Sequence, residues 1–178
     1  MSFFLFKISG SIAAYKACYL LSQLVQEGHE VQTVASPAAL EFVGKATLEG
    51  LTGKPVLTGL FESGRQMDHI RLNRQADAVL LCPATADIIN RLAAGAGNDV
   101  LTTFFLAHDF RKPYFIIPAM NQAMYRHPAT MYALEILRSW GVRILEGASG
   151  RQACGETGIG RMAEPDEIYA QLKTEELV

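Results

Sequence analysis

The fold of this chain is indicated first by residues 3–16, FFLFKISGSIAAYK. The apolar run 3–8 is typical of a strand, Gly10 follows it closely, and residues 13–27 then show the period of a helix. The predicted apolar face of that helix carries Ala14, Cys18, Leu21 and Val25. A strand that passes through a glycine turn into a helix is the first half of a β-α-β unit.

The same alternation continues along the chain. Further apolar runs predict strands at 30–35, 78–82, 114–118 and 142–145. Helical patterns lie at 85–94, which starts at Thr85, and at 128–140, which starts at Pro128 and ends at Gly141. Continuous apolar runs are typical of strands covered on both faces. We therefore expect one domain, residues 1–178, with a doubly wound, flavodoxin-like or Rossmann-like α/β fold and a parallel sheet of five or six strands.

Composition excludes several classes of protein. The net charge of −2 gives no basic surface for nucleic acid. The opening residues 1–10 are apolar but too short for a membrane span, and no basic region precedes the apolar run, so we interpret them as a buried strand. Cys18, Cys82 and Cys154 have no metal-ligand spacing. We therefore expect no metal, no membrane contact, reduced thiols and a cytoplasmic location. Cys18 and Cys82 are interpreted as packing residues.

Ligands of doubly wound folds bind where strands end and helices begin. At the first junction, the backbone N–H groups of Gly10, Ser11 and Ile12 could form a phosphate site, although a turn that merely needs glycine fits this piece equally well. The second predicted strand is followed by Ser36, where an NAD enzyme would usually carry an acidic residue for the ribose. A mononucleotide or a flavin phosphate therefore fits better than NAD.

The third junction is CPATADII, residues 82–89. Pro83 is expected to end the strand. Ala84 and Ala86 would permit the close approach of a flat ring, and Thr85 offers a hydroxyl and a backbone N–H.

Six motifs in order resemble the flavin-dependent cysteine decarboxylases, over nearly the whole chain. They are SGSIAAYK (9–16), HIRL (69–72), PATADII (83–89), AGNDVLTT (96–103), PAMNQAMY (118–125) and ACGETGIGRM (153–162). The resemblance is strongest to the members that act on 4′-phosphopantothenoylcysteine in coenzyme A biosynthesis, including the N-terminal half of the bacterial bifunctional form.

The resemblance implies an FMN site and a small-molecule substrate, 4′-phosphopantothenoylcysteine. Flavin can accept a hydride from the cysteine CH2–SH group and return it after CO2 has left, so no net redox change results. The implied FMN-binding residues are Gly10, Ser11, Ile12, Ser36, Phe42, Thr85, Ala86, Asp87, Ile88 and Ala119.

The resemblance also implies three catalytic residues. His69 would be the general base. Asn121 would bind the substrate carboxylate, since an amide holds it without resisting its departure as CO2. Cys154 would donate a proton when the enethiol intermediate is reduced, and Gly155, Gly158 and Gly160 would let its loop fold over substrate.

The predicted substrate-binding residues are Asn121, Met124 and Arg74. Structural interpretations remain open: His69 as a surface histidine before a short strand, Asn121 as a turn cap, and Arg74 as a solvated cation. Tyr125 is an alternative proton donor. Of the other histidines, His127 is interpreted as a helix-start residue, whereas His29 and His108 have no supporting context.

Two other functions stay open: oxidative decarboxylation of a peptide's C-terminal cysteine, and a flavin-binding regulatory protein without catalysis. The resemblance implies a homotrimer or homododecamer with the site between subunits, and the segment NDVLTTFFLAH, 98–108, is expected to offer apolar surface for that contact.

Overall fold

A parallel five-stranded sheet forms the centre of the computed structural model, which describes residues 1–61, 64–147, 149–151, 155 and 157–178. The strands are β1 (Phe3–Ile8), β2 (Glu30–Ala35), β3 (Ala78–Ala84), β4 (Tyr114–Pro118) and β5 (Arg143–Ile144). Their order is β2-β1-β3-β4-β5, and every neighbouring pair is parallel. This order is that of flavodoxin-like folds, so the predicted doubly wound architecture is confirmed.

Helices cover both faces of the sheet. They are α1 (Ala14–Gln26), α2 (Pro37–Leu40), α3 (Lys45–Thr52), α4 (Asp68–Gln75), α5 (Ala86–Ala93), α6 (Val100–Leu106), α7 (Gln122–Arg126), α8 (Pro128–Ser139) and α9 (Pro165–Thr174). A short antiparallel pair, β6 (Gly150–Arg151) and β7 (Thr157–Gly158), stands apart from the main sheet. The helices predicted at 13–27, 85–94 and 128–140 are confirmed.

The buried face of α1 is rotated relative to the predicted one. Cys18 and Val25 are only half-buried. The buried residues of the helix are Ala14, Ala17, Leu20, Leu21 and Leu24. Ala14 and Leu21 are therefore buried as predicted, whereas Cys18 and Val25 lie at the margin of a stripe that runs through Ala17 and Leu24.

Pro83 does not end β3, contrary to the prediction. The strand continues to Ala84, and its pairing with β4 is irregular between Leu81 and Ala84. Proline has no N–H to donate, and such irregularities are where a sheet tolerates it. The Pro83 carbonyl is used, since it accepts from the Ser9 N–H at 3.3 Å.

Most of the apolar surface of segment 98–108 is buried within its own chain. This corrects the expectation that the segment offers that surface to other subunits. Its buried apolar residues are Val100, Leu101, Phe104 and Phe105, in a helix that packs against α4 and α5. Leu106 is the exception, with 55% of its surface exposed.

Lys7 is fully buried near the end of β1. Its Nζ donates to the Tyr114 hydroxyl at 3.2 Å and lies 4.9 Å from the Tyr114 ring centre and 5.6 Å from that of Phe104. Burial lowers the pKa of Lys7 well below its usual value, although the charge of Asp99 acts in the opposite direction.

We expect the Lys7→Met variant to be more stable than the wild type near neutral pH. In the unfolded chain, Lys7 binds a proton up to about pH 10.4. The folded chain releases that proton at lower pH, so between the two pKa values the unfolded state binds more protons and the free energy of unfolding rises with pH. Lys7→Met lacks this rise, so its advantage should shrink as pH approaches about 10. Denaturant unfolding of both proteins at several pH values measures the difference, and parallel curves would contradict this account.

Candidate functional site

The carboxyl ends of β1, β2 and β3 meet at one edge of the sheet and are tied together by hydrogen bonds. The buried Ser9 hydroxyl donates to the Pro83 carbonyl at 2.7 Å and accepts from the Thr85 N–H at 3.1 Å. The Ser36 N–H donates to the Ile8 carbonyl at 3.0 Å. The predicted junction residues are therefore brought together, and Ser9, which the sequence analysis did not single out, joins two of them.

The loop between β1 and α1 presents backbone donors. The Ser11 carbonyl accepts from the Ala14 N–H at 2.9 Å, and the Ser11 hydroxyl accepts from the Ala13 N–H at 3.2 Å. Within the described part of the chain, no acceptor lies at the N–H groups of Gly10, Ser11 or Ile12. Three such N–H groups ahead of a helix fit a bound anion.

Gly10 is required for close approach rather than for an unusual backbone angle. A Cβ at this position would lie 2.6 Å from the Ala38 Cβ and 2.9 Å from the Ala38 carbonyl oxygen, at the start of α2. The loop can therefore lie this close to α2 only with glycine at position 10.

Two hydroxyls at this edge cap helices and still have a proton to donate. The Ser36 Oγ accepts from the Ala39 N–H at 3.1 Å, and the Thr85 Oγ1 accepts from the Ile88 N–H at 3.4 Å. A helix-capping hydroxyl uses an oxygen lone pair, so its O–H remains available to a phosphate oxygen. These groups and the Gly10–Ile12 loop fit the phosphate of a mononucleotide.

The other predicted cofactor residues differ in what they can offer. Asp87 is exposed and pairs with Arg91 at 3.4 Å, whereas the Ile88 side chain is buried in the core. Ala86 and Ala119 are small and buried, and Phe42 is about half exposed, at 49%. The alanines leave room for a flat ring, and Phe42 offers an apolar face.

Asn121 follows β4 and caps α7. Its Oδ1 accepts from the Met124 N–H at 2.8 Å. No described residue accepts from its Nδ2, and the side chain is exposed. The capping interpretation is therefore confirmed. Because the cap uses Oδ1 as its acceptor, the two N–H donors of Nδ2 are available to a ligand. Met124 lies beside it, 45% exposed.

The chain after β7 packs against the Asn121 loop. The Met120 N–H donates to the Gly160 carbonyl at 2.9 Å. A Cβ on Gly158 would overlap the Gln122 side chain, and Gly160 has a φ of +97°. Gly160 is therefore needed for its backbone conformation, whereas a side chain at position 158 would displace the Gln122 side chain. Cys154 lies outside the described residues, and its role stays a prediction.

His69 is the second residue of α4, so the interpretation as a histidine before a short strand is wrong. Its imidazole packs edge-on against the Phe104 ring, with centres 6.3 Å apart. Asp68 precedes it and pairs with Arg65 and Arg71, each at 2.8 Å. Burial opposes the charge of Asp68, but these two arginines outweigh it and lower its pKa, which keeps the carboxylate charged at the helix N-terminus.

His69 and Arg74 both line a groove of about 480 Å³ between α4 and α6. Its other lining residues are Ile70, Asn73, Thr103, Leu106, Ala107 and Asp109. Arg74 is exposed and has no ion pair within the described ranges. The structure thus brings His69 and Arg74 to one groove, and none of its lining residues comes from the Asn121 loop.

Tyr125 is a poor candidate for proton donation. Its side chain is buried and its hydroxyl interacts with Glu146. Burial and the Glu146 carboxylate raise the pKa of Tyr125. A less acidic phenol releases its proton less readily.

The remaining cysteines and histidines have structural roles. Cys82 is fully buried and Cys18 packs at the edge of the core, and burial raises the pKa of both thiols. His127 begins α8, where its Nδ1 accepts from the Ala129 N–H at 3.2 Å, as predicted. The His29 Nδ1 accepts from the Ser2 N–H at 3.2 Å.

The described residues offer neither a metal site nor a membrane span. No cluster of three or more potential metal ligands occurs in that part of the chain. Nor does any helix there combine the length and the apolar character needed to cross a bilayer.

Comparison with known proteins places this geometry in context. A family model described as "Flavoprotein" matches residues 3–175. The coenzyme A biosynthesis bifunctional protein CoaBC of Mycolicibacterium smegmatis is 45% identical over 170 residues, which are 94% of this chain and 41% of that protein. The chain thus spans about two-fifths of the length of this curated relative.

Two solved structures are similar over nearly their whole length. A Cys-to-Ser mutant of PPC decarboxylase, complexed with pantothenoylaminoethenethiol, is 31% identical with a TM-score of 0.86, and the match covers 98% of both chains. The FMN binding protein AtHal3 is 31% identical with a TM-score of 0.83, and the match covers 98% of this chain and 96% of that one.

We expect Gly10→Ala to destabilise the fold by about 1–3 kcal/mol, because the new methyl group overlaps the start of α2. Gly50→Ala is the matched control, since its Cβ meets nothing within 4 Å and the residue lies in α3. The control should be more stable by about 0.5–1 kcal/mol, as expected for alanine in a helix. Denaturant unfolding measures both variants, and equal stability of Gly10→Ala and the wild type would contradict the close approach.

Proposed function

This chain belongs to the flavoprotein family, and we propose that it uses FMN to decarboxylate 4′-phosphopantothenoylcysteine to 4′-phosphopantetheine, a step of coenzyme A synthesis. The observation that carries the proposal is the Asn121 side chain, which caps α7 through its oxygen at the end of β4, in a sheet whose carboxyl edge has backbone donors that fit a phosphate. There a capped amide leaves its donors for a carboxylate. The similarity to a PPC decarboxylase over 98% of both chains supports this choice of substrate.

The FMN phosphate would be held by the N–H groups of Gly10, Ser11 and Ile12 and by the hydroxyls of Ser36 and Thr85. These donors need an acceptor, and a phosphate monoester supplies several. When bound, FMN would supply the hydride acceptor for the substrate carbon bearing sulfur, and the same hydride would be available to the product after CO2 has left. No external oxidant is then needed. The FMN binding protein AtHal3, similar over 98% of this chain, supports FMN over FAD or NAD.

Asn121 would bind the substrate carboxylate through its Nδ2–H groups. The bond from the Met124 N–H to Oδ1 fixes which end of the amide faces the ligand. A neutral donor orients the carboxylate but stabilises its charge less than an arginine would. The loss of charge on forming CO2 therefore costs less binding energy.

His69 would act as the general base that removes the substrate's thiol proton. The Phe104 ring packs edge-on against the imidazole of His69, and the imidazole also lines the groove, where a ligand can reach it. Cys154 would return a proton in the reductive half of the reaction, since a thiol is a far stronger acid than a serine hydroxyl.

Arg74 and Met124 would complete the substrate site. Arg74 is a cation on the His69 groove, suited to the phosphate or carboxylate of the substrate, and Met124 offers an apolar contact next to Asn121. The groove that His69 lines contains no residue of the Asn121 loop. We therefore infer that subunits combine to complete the site, as a homotrimer or homododecamer, with the exposed Leu106 at the groove as one contact.

The direct test is to incubate the purified chain with 4′-phosphopantothenoylcysteine and to determine the product by mass spectrometry. We expect a product lighter by one CO2, with the flavin oxidised at the end of turnover. A product lighter by CO2 and two hydrogens, with reduced flavin, would favour an oxidative decarboxylase, such as one acting on a peptide's C-terminal cysteine. Bound flavin without any product, either from 4′-phosphopantothenoylcysteine or from a peptide with a C-terminal cysteine tested in a second incubation, would favour the regulatory protein.

We expect His69→Asn to retain FMN and to lose about 10²–10⁴-fold in the rate of CO2 release, the usual contribution of a general base. His127→Asn is the matched control, since asparagine also caps a helix well and His127 serves as a cap. The control should keep wild-type activity. Loss of FMN from His69→Asn, or wild-type turnover by it, would remove His69 from the catalytic residues.

We expect Asn121→Asp to fold normally and to lose about a hundredfold or more in kcat/KM, because like charges in contact cost several kcal/mol. Aspartate keeps the oxygen that caps α7 but replaces the amide donors by a second carboxylate oxygen. Asn121→Ser, which also caps the helix and carries no charge, separates lost donors from added repulsion and should be the more active variant. Steady-state kinetics measures both, and unchanged kcat/KM in Asn121→Asp would show that the carboxylate binds elsewhere.

A further inference from the structure

Asn73 joins the first turn of α4 to the last turn of α6. Its side chain is 5% exposed, and its Nδ2 donates to the His69 carbonyl at 2.6 Å and to the Phe104 carbonyl at 2.8 Å. The Phe104 carbonyl lies among the last carbonyls of α6, which a helix leaves without partners. The His108 N–H, its regular partner, donates to the Phe105 carbonyl instead, at 3.0 Å.

The two residues that Asn73 holds by their backbones also contact each other by their rings. The imidazole of His69 and the ring of Phe104 are 6.3 Å apart and meet edge-on at 69°. A shift of α6 relative to α4 would therefore move the Phe104 ring against or away from the imidazole. The Asn73 amide opposes such a shift because it bridges the two helices.

The orientation of the Asn73 amide is fixed by its surroundings. Both acceptors of Nδ2 are carbonyls, so Oδ1 faces the other way, 3.4 Å from the Nδ1 of His108. The Nε2 of His108 lies 3.0 Å from the Lys112 carbonyl, and its ring packs edge-on against Tyr114, which accepts from Lys7. These four buried residues therefore contact one another in sequence as the polar cluster Lys7–Tyr114–His108–Asn73, and Asn73 is its end at the groove that His69 lines.

We propose that Asn73 is a positioning residue for His69, which sets the packing of α4 against α6 and so the orientation of the imidazole in the groove. The inference rests on the proposed function, in which His69 is the general base. A hydrophobic residue at position 73 would leave the Phe104 carbonyl, at the end of α6, without its donor, whereas the His69 carbonyl lies inside α4 and would lose only its second one. Serine could reach the His69 carbonyl, one helical turn back, but not α6.

The test compares full-length Asn73→Leu with the wild type, using the decarboxylation assay. We expect FMN to stay bound at the wild-type ratio, KM to remain near its wild-type value, and kcat to fall by about 10- to 100-fold, the loss that a misplaced catalytic group produces. Gln32→Met is the matched control. Gln32 is a buried amide that also donates to two carbonyls, of Thr33 at 3.1 Å and Pro55 at 2.8 Å, on β2 and away from the groove. It should lose comparable stability and keep its kcat.

Asn73→Ser is a milder variant and identifies the bond that matters. If the link to α6 positions His69, its kcat falls as in Asn73→Leu, whereas wild-type kcat in Asn73→Ser would overturn the interhelical role. Equal losses of kcat in Asn73→Leu and Gln32→Met would reduce the effect to general destabilisation and overturn the proposal. A wild-type chain that binds FMN but releases no CO2 would overturn the proposed function and this inference together, while an active wild type with unchanged Asn73→Leu would overturn the inference alone.

Discussion

The buried hydroxyl of Ser9 links the strand ends at the sheet edge where the candidate ligand site lies. It donates to the Pro83 carbonyl and accepts from the Thr85 N–H, so one oxygen joins the end of β1 to the end of β3 and the start of α5. The carboxyl ends of parallel strands lie at one edge of the sheet. The Ser9 hydroxyl fixes the positions of the loops after β1 and β3 relative to each other. Glycine at position 10 then allows the first loop to lie against α2. The proposed phosphate site depends on the Ser9 hydrogen bonds and on Gly10, because its backbone N–H donors belong to the loop that these two residues position.

The candidate site has two parts, because the groove that His69 lines has no residue from the loop that carries Asn121. Asn121 stands beside the sheet edge, whereas His69 stands in the groove between α4 and α6. The polar cluster Lys7–Tyr114–His108–Asn73 reaches that groove at Asn73. Burying a lysine costs free energy, and such costs can be retained where polar contacts fix a particular packing. The proposed role of Asn73 fits this view, in which the cost of burying Lys7 is retained because the cluster fixes the position of the His69 side chain.

Much of the fold followed from the sequence because strands buried on both faces are continuous apolar runs. The strands at 3–8, 30–35 and 114–118 have the predicted bounds. Pro83 was misjudged because the irregular pairing that accommodates it depends on β4, which is distant in sequence. Ser9 and Asn73 gave little local signal, since a serine in a loop and an asparagine in a helix are ordinary residues. Their roles depend on carbonyls of Pro83 and Phe104, which only the tertiary structure brings near.

We propose that the carboxyl edge of the sheet binds the phosphate of a flavin mononucleotide. The most direct measurement is the identity of the nucleotide released on heating the purified chain, followed by titration of the refolded or apo protein with FMN and FAD. The account predicts a yellow protein that releases FMN in a ratio near one per chain and rebinds FMN in preference to FAD. A protein that carries FAD, or that remains colourless and fails to bind added FMN, would contradict it.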